Sequence, residues 1–439
     1  MKWLRSRGRV ALVAAAAMCA VVAQPGASGG PVLSGLPGLS GTAAAAEGPT
    51  PYALDNDAGP ANGGTGTGDA GRLDGGFTYF DSIEPGQKLF YQLDLDDAEN
   101  GYVSATAVPK LKSLVDYGDK ITVKMQDGDG KDCDSEQARV LPTGDYPQPL
   151  TAYVSRTLND KEYGACREDG TYYVIVERES KPTSSQDAWD LELRFLTEPR
   201  LKAGGSTKAP EAGSSTSPGP PSAASGARAG GAGFSAATIL GDGEWTAEIR
   251  PGESLFYRVP VDWGQQLFAA AELGSSDGNG MVTGAMSLAV YNPARGLVDS
   301  TDTMSYSGEP KWTSTDPAPP VNYANRFSST PGKKAMRFAG WYYLRVSLNP
   351  EVGDKFGQEP YGLTVRVNVE GNAVDGPEYN GPAEEFNVAD GNQDPAVDGE
   401  NADSGAMTLV AVGGIGTGTV LVLGLGGWAL LARRRDAGR

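Results

Sequence analysis

Two stretches of the chain are similar in sequence. Residues 83–96 read IEPGQKLFYQLDLD and residues 249–262 read IRPGESLFYRVPVD, with seven identical positions at a constant offset of 166. Two further blocks repeat in the same order, and these pairs are GTYYVIV (170–176) with GWYYLRV (340–346), and WDLELR (189–194) with YGLTVR (361–366). Three matching blocks in one order indicate a duplicated domain.

Within each copy the apolar residues recur with a period of two. Leu89, Tyr91, Leu93 and Leu95 alternate with more polar positions, and a Pro-Gly turn precedes them. This alternation is typical of a half-buried β-strand. ITVKM before QDGDG in the first copy, and SLAVY before NPARG in the second, read as strands followed by tight turns. Neither copy shows a long amphipathic helical pattern, so we predict an all-β fold of two duplicated antiparallel β-sandwich or jelly-roll domains.

The order of these blocks resembles the bacterial pre-peptidase C-terminal domain family. The resemblance rests on the PG-x-x-x-x-Y entry strand (Pro85 to Tyr91 and Pro251 to Tyr257), a polar turn, and the late G-x-Y-x-(I/V/L)-x-V strand. It covers about two thirds of the chain. It implies small β-sandwiches that bind or space other components of secreted or surface proteins. No peptidase domain accompanies them here, which departs from the usual arrangement of that family.

Composition divides the rest of the chain into leader, linkers and anchor. Gly, Ser, Pro and Ala fill the stretch between the copies, and ten carboxylates without Lys or Arg lie between Glu370, the last residue of the second copy, and Ala406. The predicted segments are a signal peptide (1–23, or to 46), a flexible segment (47–69), sandwich 1 (70–200), a disordered linker (201–233), sandwich 2 (234–370), an acidic disordered stalk (371–406), a transmembrane helix (407–432) and a basic cytoplasmic tail (433–439). Since each copy carries its own strands and the linker is polar, we expect the two copies to fold independently.

Both ends of the chain indicate export and anchoring. A basic start is followed by a short apolar run, and small residues permit signal cleavage after Ala23 or after Ala46. Residues 407–432 carry no charge and are long enough, at ~39 Å as a helix, to cross a bilayer. The stop signal that follows is Arg433, Arg434 and Arg435, which remain cytoplasmic by the positive-inside rule. We therefore predict a single-pass cell-membrane protein whose N-terminal domains face outward.

Composition also excludes whole classes of function. The 439 residues contain no histidine, which rules out Ser-His-Asp and Cys-His catalysis and histidine-ligated metals. A formal net charge of −18 repels phosphate backbones, so nucleic acid is not expected as a partner. We expect no catalytic residues and no enzyme activity.

Three groups of residues are candidates for chemistry or cross-linking. Outside the leader there are two cysteines, Cys133 and Cys166, and in an exported chain they are most simply one disulfide. A weak Ca²⁺ candidate is the acidic turn Asp127, Asp129, Asp132 and Asp134, although an ordinary polar hairpin tip explains it better. Otherwise no cofactor is indicated. A sugar-stacking platform is the alternative to core packing for the aromatic set Tyr172, Tyr173, Trp341 and Tyr342.

Three functions remain open. The first is a non-catalytic surface module that binds or positions an extracellular protein or a wall glycan. The second is an extracellular hydrolase that acts on wall glycan with a pair of carboxylates. The third is a passive stalk. The sequence does not decide between these functions, and it identifies neither the ligand nor the oligomeric state.

Overall fold

The computed structural model describes residues 48–143, 145–158, 166–203 and 225–388. The predicted signal peptide, transmembrane helix and basic tail, most of the linker and the end of the acidic stalk lie outside these residues. Among the described helices, none is long and apolar enough to cross a membrane.

The structure consists of two β-sandwiches with the same ten-strand topology. Sandwich 1 contains β1 (Gly59–Pro60), β2 (Gly71–Arg72), β3 (Thr78–Ile83), β4 (Lys88–Leu95), β5 (Glu99–Val108), β6 (Lys120–Asp127), β7 (Asp132–Arg139), β8 (Leu150–Arg156), β9 (Gly170–Glu179) and β10 (Trp189–Pro199). Sandwich 2 contains β11 (Ser225–Ala227), β12 (Thr238–Ile239), β13 (Gly243–Ile249), β14 (Ser254–Val261), β15 (Gln266–Leu273), β16 (Val282–Tyr291), β17 (Leu297–Tyr306), β18 (Lys311–Ser314), β19 (Gly340–Leu348) and β20 (Tyr361–Glu370).

Each sandwich has two five-stranded sheets. Sheet 1A has the order β1-β3-β10-β5-β8 and sheet 1B the order β2-β4-β9-β6-β7. Adding ten to every strand number gives sheet 2A (β11-β13-β20-β15-β18) and sheet 2B (β12-β14-β19-β16-β17). Without the short first strands, which pair in parallel, the order is that of a double-sheet jelly roll. The all-β fold predicted from the duplicated blocks is confirmed.

The alternation in the entry strands places the predicted residues in the core. In β4 the side chains of Leu89, Tyr91, Leu93 and Leu95 are buried, and Tyr91 donates a hydrogen bond to Asp81 at 3.0 Å. Tyr257 of β14 is equally buried, and its burial raises the pKa of its hydroxyl. Each sandwich has its own apolar cluster between its two sheets.

Short helices occur in sandwich 2 and are absent from the described part of sandwich 1. They are α1 (Pro331–Ala335), α2 (Pro350–Phe356) and a 3₁₀ turn at Tyr323–Phe327; another 3₁₀ turn, Glu384–Phe386, follows the last strand. Helix α2 begins with the side chain of Asn349 accepting a hydrogen bond from the Glu351 amide, as an N-cap does. The sequence analysis did not predict these helices, because segments of five to seven residues are too short to show helical periodicity.

The two sandwiches pack directly against each other. The outer face of sheet 1A lies on the outer face of sheet 2B, so the four sheets stack in the order 1B, 1A, 2B, 2A. Tyr102 of β5 points away from its own core. Its ring makes an edge-to-face contact with the ring of Phe338, with the two centroids 5.1 Å apart. Arg345 of β19 donates to the carbonyl oxygen of Pro149 and to the side chain of Gln148. This interface differs from the expectation of two copies joined only by a polar linker.

Two terminal segments cross the interface. Residues 48–58, which we call the N-terminal strap, belong to the segment expected to be flexible. In this strap the Thr50 amide donates to Glu253 of sandwich 2, and the Tyr52 hydroxyl donates to Glu192 of sandwich 1. The strap is therefore held by both sandwiches.

The C-terminal strap, residues 371–388, was expected to start the acidic stalk. Instead, the Lys202 amide donates to the Glu378 carbonyl, and Phe386 stacks on Phe338 with ring centroids 4.4 Å apart. Arg194 of β10 forms an ion pair with Glu385. These few aromatic and ion-paired residues fix the strap. The average composition of the segment, which is acidic and polar, does not reveal them.

Candidate binding cleft between the two sandwiches

The acidic turn proposed as a Ca²⁺ site is a set of local hydrogen bonds. One carboxylate oxygen of Asp127 accepts from the amides of Asp129 and Lys131, which closes the hairpin between β6 and β7. Asp132 accepts from the Gln126 side chain. Among the described residues, no group of three or more His, Cys, Asp or Glu side chains is arranged to hold a metal ion.

Asp134 and Glu136 connect the two sheets of sandwich 1. Asp134 Oδ2 accepts from the amide and hydroxyl of Ser155, at 2.9 and 3.0 Å. Glu136 accepts from the Tyr153 amide at 3.3 Å. Because β8 is the edge strand of sheet 1A, these amides have no neighbouring strand to pair with, and the two carboxylates of β7 take its place. Burial raises the pKa of Glu136 to about 7.

The predicted disulfide between Cys133 and Cys166 is present. It ties β7 to the segment that leads into β9. The buried side chain of Arg156 lies beside it and donates to the carbonyl oxygens of Cys166 and Glu168. These contacts fix the described end of the long insertion after β8.

The aromatic residues considered as a sugar platform divide between two faces. Tyr172 and Tyr342 are buried in the two cores, as the alternation predicts. Tyr173 and Trp341 point outward and are half-buried. The guanidinium of Arg258 lies over Trp341, 4.7 Å from the ring centroid, and covers one side of it. The four rings do not form one platform.

A buried ion pair joins the sandwiches. Glu192, on the outer face of sheet 1A, accepts from Arg295 in the turn between β16 and β17, and both side chains are at most 3% exposed. The Tyr52 hydroxyl and the Asp55 amide of the N-terminal strap also bond to Glu192. Burial lowers the pKa of Arg295, but Glu192, together with Tyr52 and Tyr343, raises it by more, so the pKa lies above its ordinary value.

The backbone at Arg295 is strained. Its φ of 61° lies in the left-handed region, and the topologically equivalent position in sandwich 1 is Gly130, with φ of 82°. Both turns close with the same pair of backbone hydrogen bonds. A side chain in this conformation costs about 1 kcal/mol. In sandwich 2 that strain accompanies an arginine at the interface.

A second polar network lies under the C-terminal strap. The Glu198 carboxylate accepts hydrogen bonds from the side-chain amide of Asn100 and from the hydroxyls of Tyr102 and Tyr379, at 2.6 to 2.9 Å. Burial of Tyr102, together with the charge of Glu198, raises the pKa of its hydroxyl. The guanidinium of the buried Arg337 lies 4.8 Å from the Tyr102 ring. Like the ion pair, this network is complete only when both sandwiches and the strap are in place.

An open cleft of about 630 Å³ lies at the edge of this interface. Sandwich 1 contributes the loop 111–115 and residues 145–147; sandwich 2 contributes the turn 250–252 and one side of α2; the N-terminal strap contributes Gly48 and Pro49. A cleft of this volume is within the range of small-molecule and peptide sites. Next to its walls, Tyr146 of sandwich 1 donates to the Ser347 carbonyl of sandwich 2, and Thr50 of the N-terminal strap donates to Glu253.

The polar side chains of the cleft are largely without partners. Lys112 and Arg250, one from each sandwich, form no ion pair with any residue that the structure describes, and neither does Asp145. The hydroxyl oxygen of Ser113 is buried and has no described hydrogen-bond partner. Unpaired charges and an unsatisfied hydroxyl in a concave surface are typical of a ligand site.

One exposed apolar side chain lines the cleft, and three others lie on segments next to its lining residues. Leu114, on its wall, is 70% exposed. Tyr117, on the same loop, and Leu141, on the segment that leads to Asp145, are also exposed. Met281 is 60% exposed, and its carbonyl oxygen accepts from Lys355 of α2. We call these four residues the apolar rim.

The sequence analysis did not find the cleft. Its lining residues come from separate loops that only the packing of the two sandwiches brings together. One signal was present: Phe90 and Phe256 occupy outward positions of the repeated entry strand, and an apolar outward residue indicates a strand covered on both faces. Phe256 is buried beneath the Tyr52 ring of the N-terminal strap, whereas Phe90 remains half-buried.

Comparison with known proteins does not place the chain in a family. No family model matches, so the resemblance to pre-peptidase C-terminal domains stays a prediction. No curated protein matches either.

Solved structures with carbohydrate-binding and CUB domains are similar at low level. A family 6 carbohydrate-binding module is 13% identical, with a TM-score of 0.16, and covers 27% of this chain and 81% of its own. The CBM22-1–CBM22-2 tandem of Paenibacillus barcinonensis Xyn10C is 11% identical, with a TM-score of 0.18, and the match covers 72% of this chain and 100% of the tandem. The CUB1-EGF-CUB2 region of human MASP-1/3 is 7% identical, with a TM-score of 0.17, and the match covers 66% of this chain and 99% of that region. TM-scores this low carry no argument about ligand or activity.

Proposed function

We propose that this protein is a non-catalytic accessory module of the bacterial cell surface, and that it binds another extracellular component in the cleft between its two sandwiches. The observation that carries the proposal is the cleft itself, which both sandwiches build and in which charged groups lack partners. Export and the C-terminal anchor are predictions from the sequence and are part of the proposal.

A fixed cleft suits a binding module. The Glu192–Arg295 pair, the network around Glu198 and the two straps hold the walls in one orientation before any ligand arrives. A site that is already ordered loses less conformational entropy on binding than a site that must be assembled.

One observation favours the hydrolase as a second candidate. Glu136 has a pKa raised to about 7, which is the property of a general acid, and Asp134 is its neighbour on β7. Both carboxylates, however, bond to the edge strand β8, so we assign them a structural role. Loss of a wall-degrading activity in Glu136→Gln, with the fold unchanged, would favour the hydrolase.

In-cell photo-crosslinking tests the binding function. The photoreactive residue p-benzoylphenylalanine replaces Leu114 on the cleft wall, and in a matched strain it replaces Phe77, which is also exposed but does not line the cleft. We expect a discrete crosslinked product from position 114 alone. Protease and lysozyme digestion of the product then identify it as protein or as wall glycan.

Equal crosslinking from both positions, or none from position 114, would contradict a binding role for the cleft. A chain with no bound component at either position would instead fit the passive stalk.

A further inference from the structure

We infer that the occupant of the cleft is a polypeptide segment of a partner protein, one that carries an apolar side chain next to charges of both signs. This inference rests on the proposed binding function and deepens it by naming the class of ligand.

The apolar rim supports a protein partner. Large side chains as exposed as Leu114 and Met281 are unfavourable in water, and a group of them beside a cleft is typical of a protein interaction surface. The described residues include eight exposed large hydrophobic side chains. One of these, Leu114, lines the cleft itself, and the other three members of the rim adjoin its lining residues along the chain or through Lys355.

The charges of the cleft support a segment of mixed charge. Lys112 on the first sandwich and Arg250 on the second present two cations, while Asp145 and Asp354 present two anions. Asp354 has one long contact, at 3.4 Å, with the Gln358 amide of the same wall. A peptide with a carboxylate and an ammonium or guanidinium group complements both signs.

The lining residues of the cleft offer no exposed aromatic ring, and the one exposed ring on the apolar rim, Tyr117, has the Lys181 ammonium 5.3 Å from its centroid. Sugar rings pack against exposed aromatic faces. Tyr146 is the one aromatic residue among the described lining residues, and it is 4% exposed, with its hydroxyl directed to the Ser347 carbonyl. Four prolines, Pro49, Pro147, Pro251 and Pro350, supply most of the remaining apolar lining.

A phage-displayed random dodecapeptide library tests the inference. The library is depleted on the full-length Leu114→Asp variant and then selected on the full-length wild-type protein in detergent. Enriched peptides are synthesised with a fluorescent label, and their affinity is measured by anisotropy. The variants are Leu114→Asp, the double charge reversal Lys112→Glu/Arg250→Glu, and the control Lys110→Glu, which changes an exposed lysine of the same loop outside the cleft.

We expect the selected peptides to share an apolar residue flanked by an acid and a base. Both cleft variants should weaken binding by about tenfold or more, and Lys110→Glu should leave it unchanged. Peptides that bind all four proteins equally, or an absence of enriched peptides, would overturn the inference.

Chitotetraose serves as the glycan probe in the same assay, by displacement or by intrinsic fluorescence. If it binds and the peptides do not, the ligand class is wrong while the binding function stands. If peptides bind only after removal of the residues before Gly48, the chain's own N-terminal segment is the occupant, and the inference of a partner protein fails.

Discussion

Arg295 donates a hydrogen bond to Glu192 across the boundary between the two sandwiches, and both side chains are almost completely buried. Neither residue has an equivalent in the other copy: Thr364 stands where Glu192 would be, and Gly130 where Arg295 would be. The pair is therefore a product of divergence after the duplication. It makes one face of each copy complementary to the other.

The first prediction concerns this ion pair. Replacing Glu192 with Ala leaves the Arg295 guanidinium buried without its partner, which should lower the free energy of unfolding by about 3 to 5 kcal/mol. Urea denaturation of the full-length protein measures the change. The control is Glu244→Ala, which breaks the more exposed pair with Arg366 and should cost less than about 1 kcal/mol. Equal effects of the two substitutions would show that the buried pair does not hold the sandwiches together.

The second prediction is cooperative unfolding of the two sandwiches. When the two sandwiches are packed together, four interface side chains are at most 2% exposed: Tyr102, Glu192, Arg337 and Phe338. Separation of the sandwiches would expose these side chains to water. Calorimetry of the full-length protein should therefore show one main transition. Residues 70–200 and 234–370, expressed separately, should each melt at a lower temperature or aggregate. Two transitions that match those of the isolated halves would restore the expectation of independent folding.

The third prediction concerns the disulfide. Replacing Cys133 and Cys166 with Ser releases a loop with a sequence separation of 33 residues, which should destabilise the protein by about 3 to 4 kcal/mol. Thermal denaturation of the variant, and of the wild type with reductant, measures this. A wild-type protein whose stability is unaffected by reductant would contradict the prediction.

The fourth prediction concerns the pH dependence of stability. Burial raises the pKa of Glu136 from 4.5 to about 7, with Asp134 adding to the rise and the Tyr153 amide and Lys334 opposing it. The folded protein therefore holds this proton more tightly than the unfolded chain does. Its contribution to stability falls as the pH rises between about 4.5 and 7. Glu136→Gln removes the titration.

The stability of Glu136→Gln relative to the wild type should therefore be greater at pH 8 than at pH 5. Melting temperatures at the two pH values measure the difference. The control for losing one negative charge is Glu359→Gln, at an exposed position. A relative stability that falls from pH 5 to pH 8 would show that Glu136 acts as a charged partner instead.

The fold of each copy was predictable from the sequence, because the residues that point into a sandwich must be apolar along every strand. Leu89, Tyr91 and Leu93 have to be apolar wherever the second sheet lies, so their period of two is visible without the structure. The disulfide was predictable for a similar reason, since two cysteines allow one pairing.

The interface and the cleft were not predictable in this way. Tyr102 and Phe256 lie at outward positions, where an aromatic residue is equally compatible with solvent and with a covered face. Their burial depends on which face the other copy covers, and that depends on single residues such as Arg295. The straps were missed because average composition predicted disorder, whereas their packing depends on Tyr52, Tyr379 and Phe386.

The cleft exists only if the two sandwiches keep one orientation, and a distance measurement between them tests this most directly. Spin labels are attached through p-acetylphenylalanine at Gln137 on β7 and Thr246 on β13, two exposed strand positions on different sandwiches, so that the disulfide stays intact. A second pair, Gln137 with Lys88, lies within sandwich 1 and sets the width expected of a rigid body. We predict a single narrow distance distribution across the interface, as narrow as that control. A broad or multiple distribution between Gln137 and Thr246 would contradict the fixed orientation and, with it, the preformed cleft.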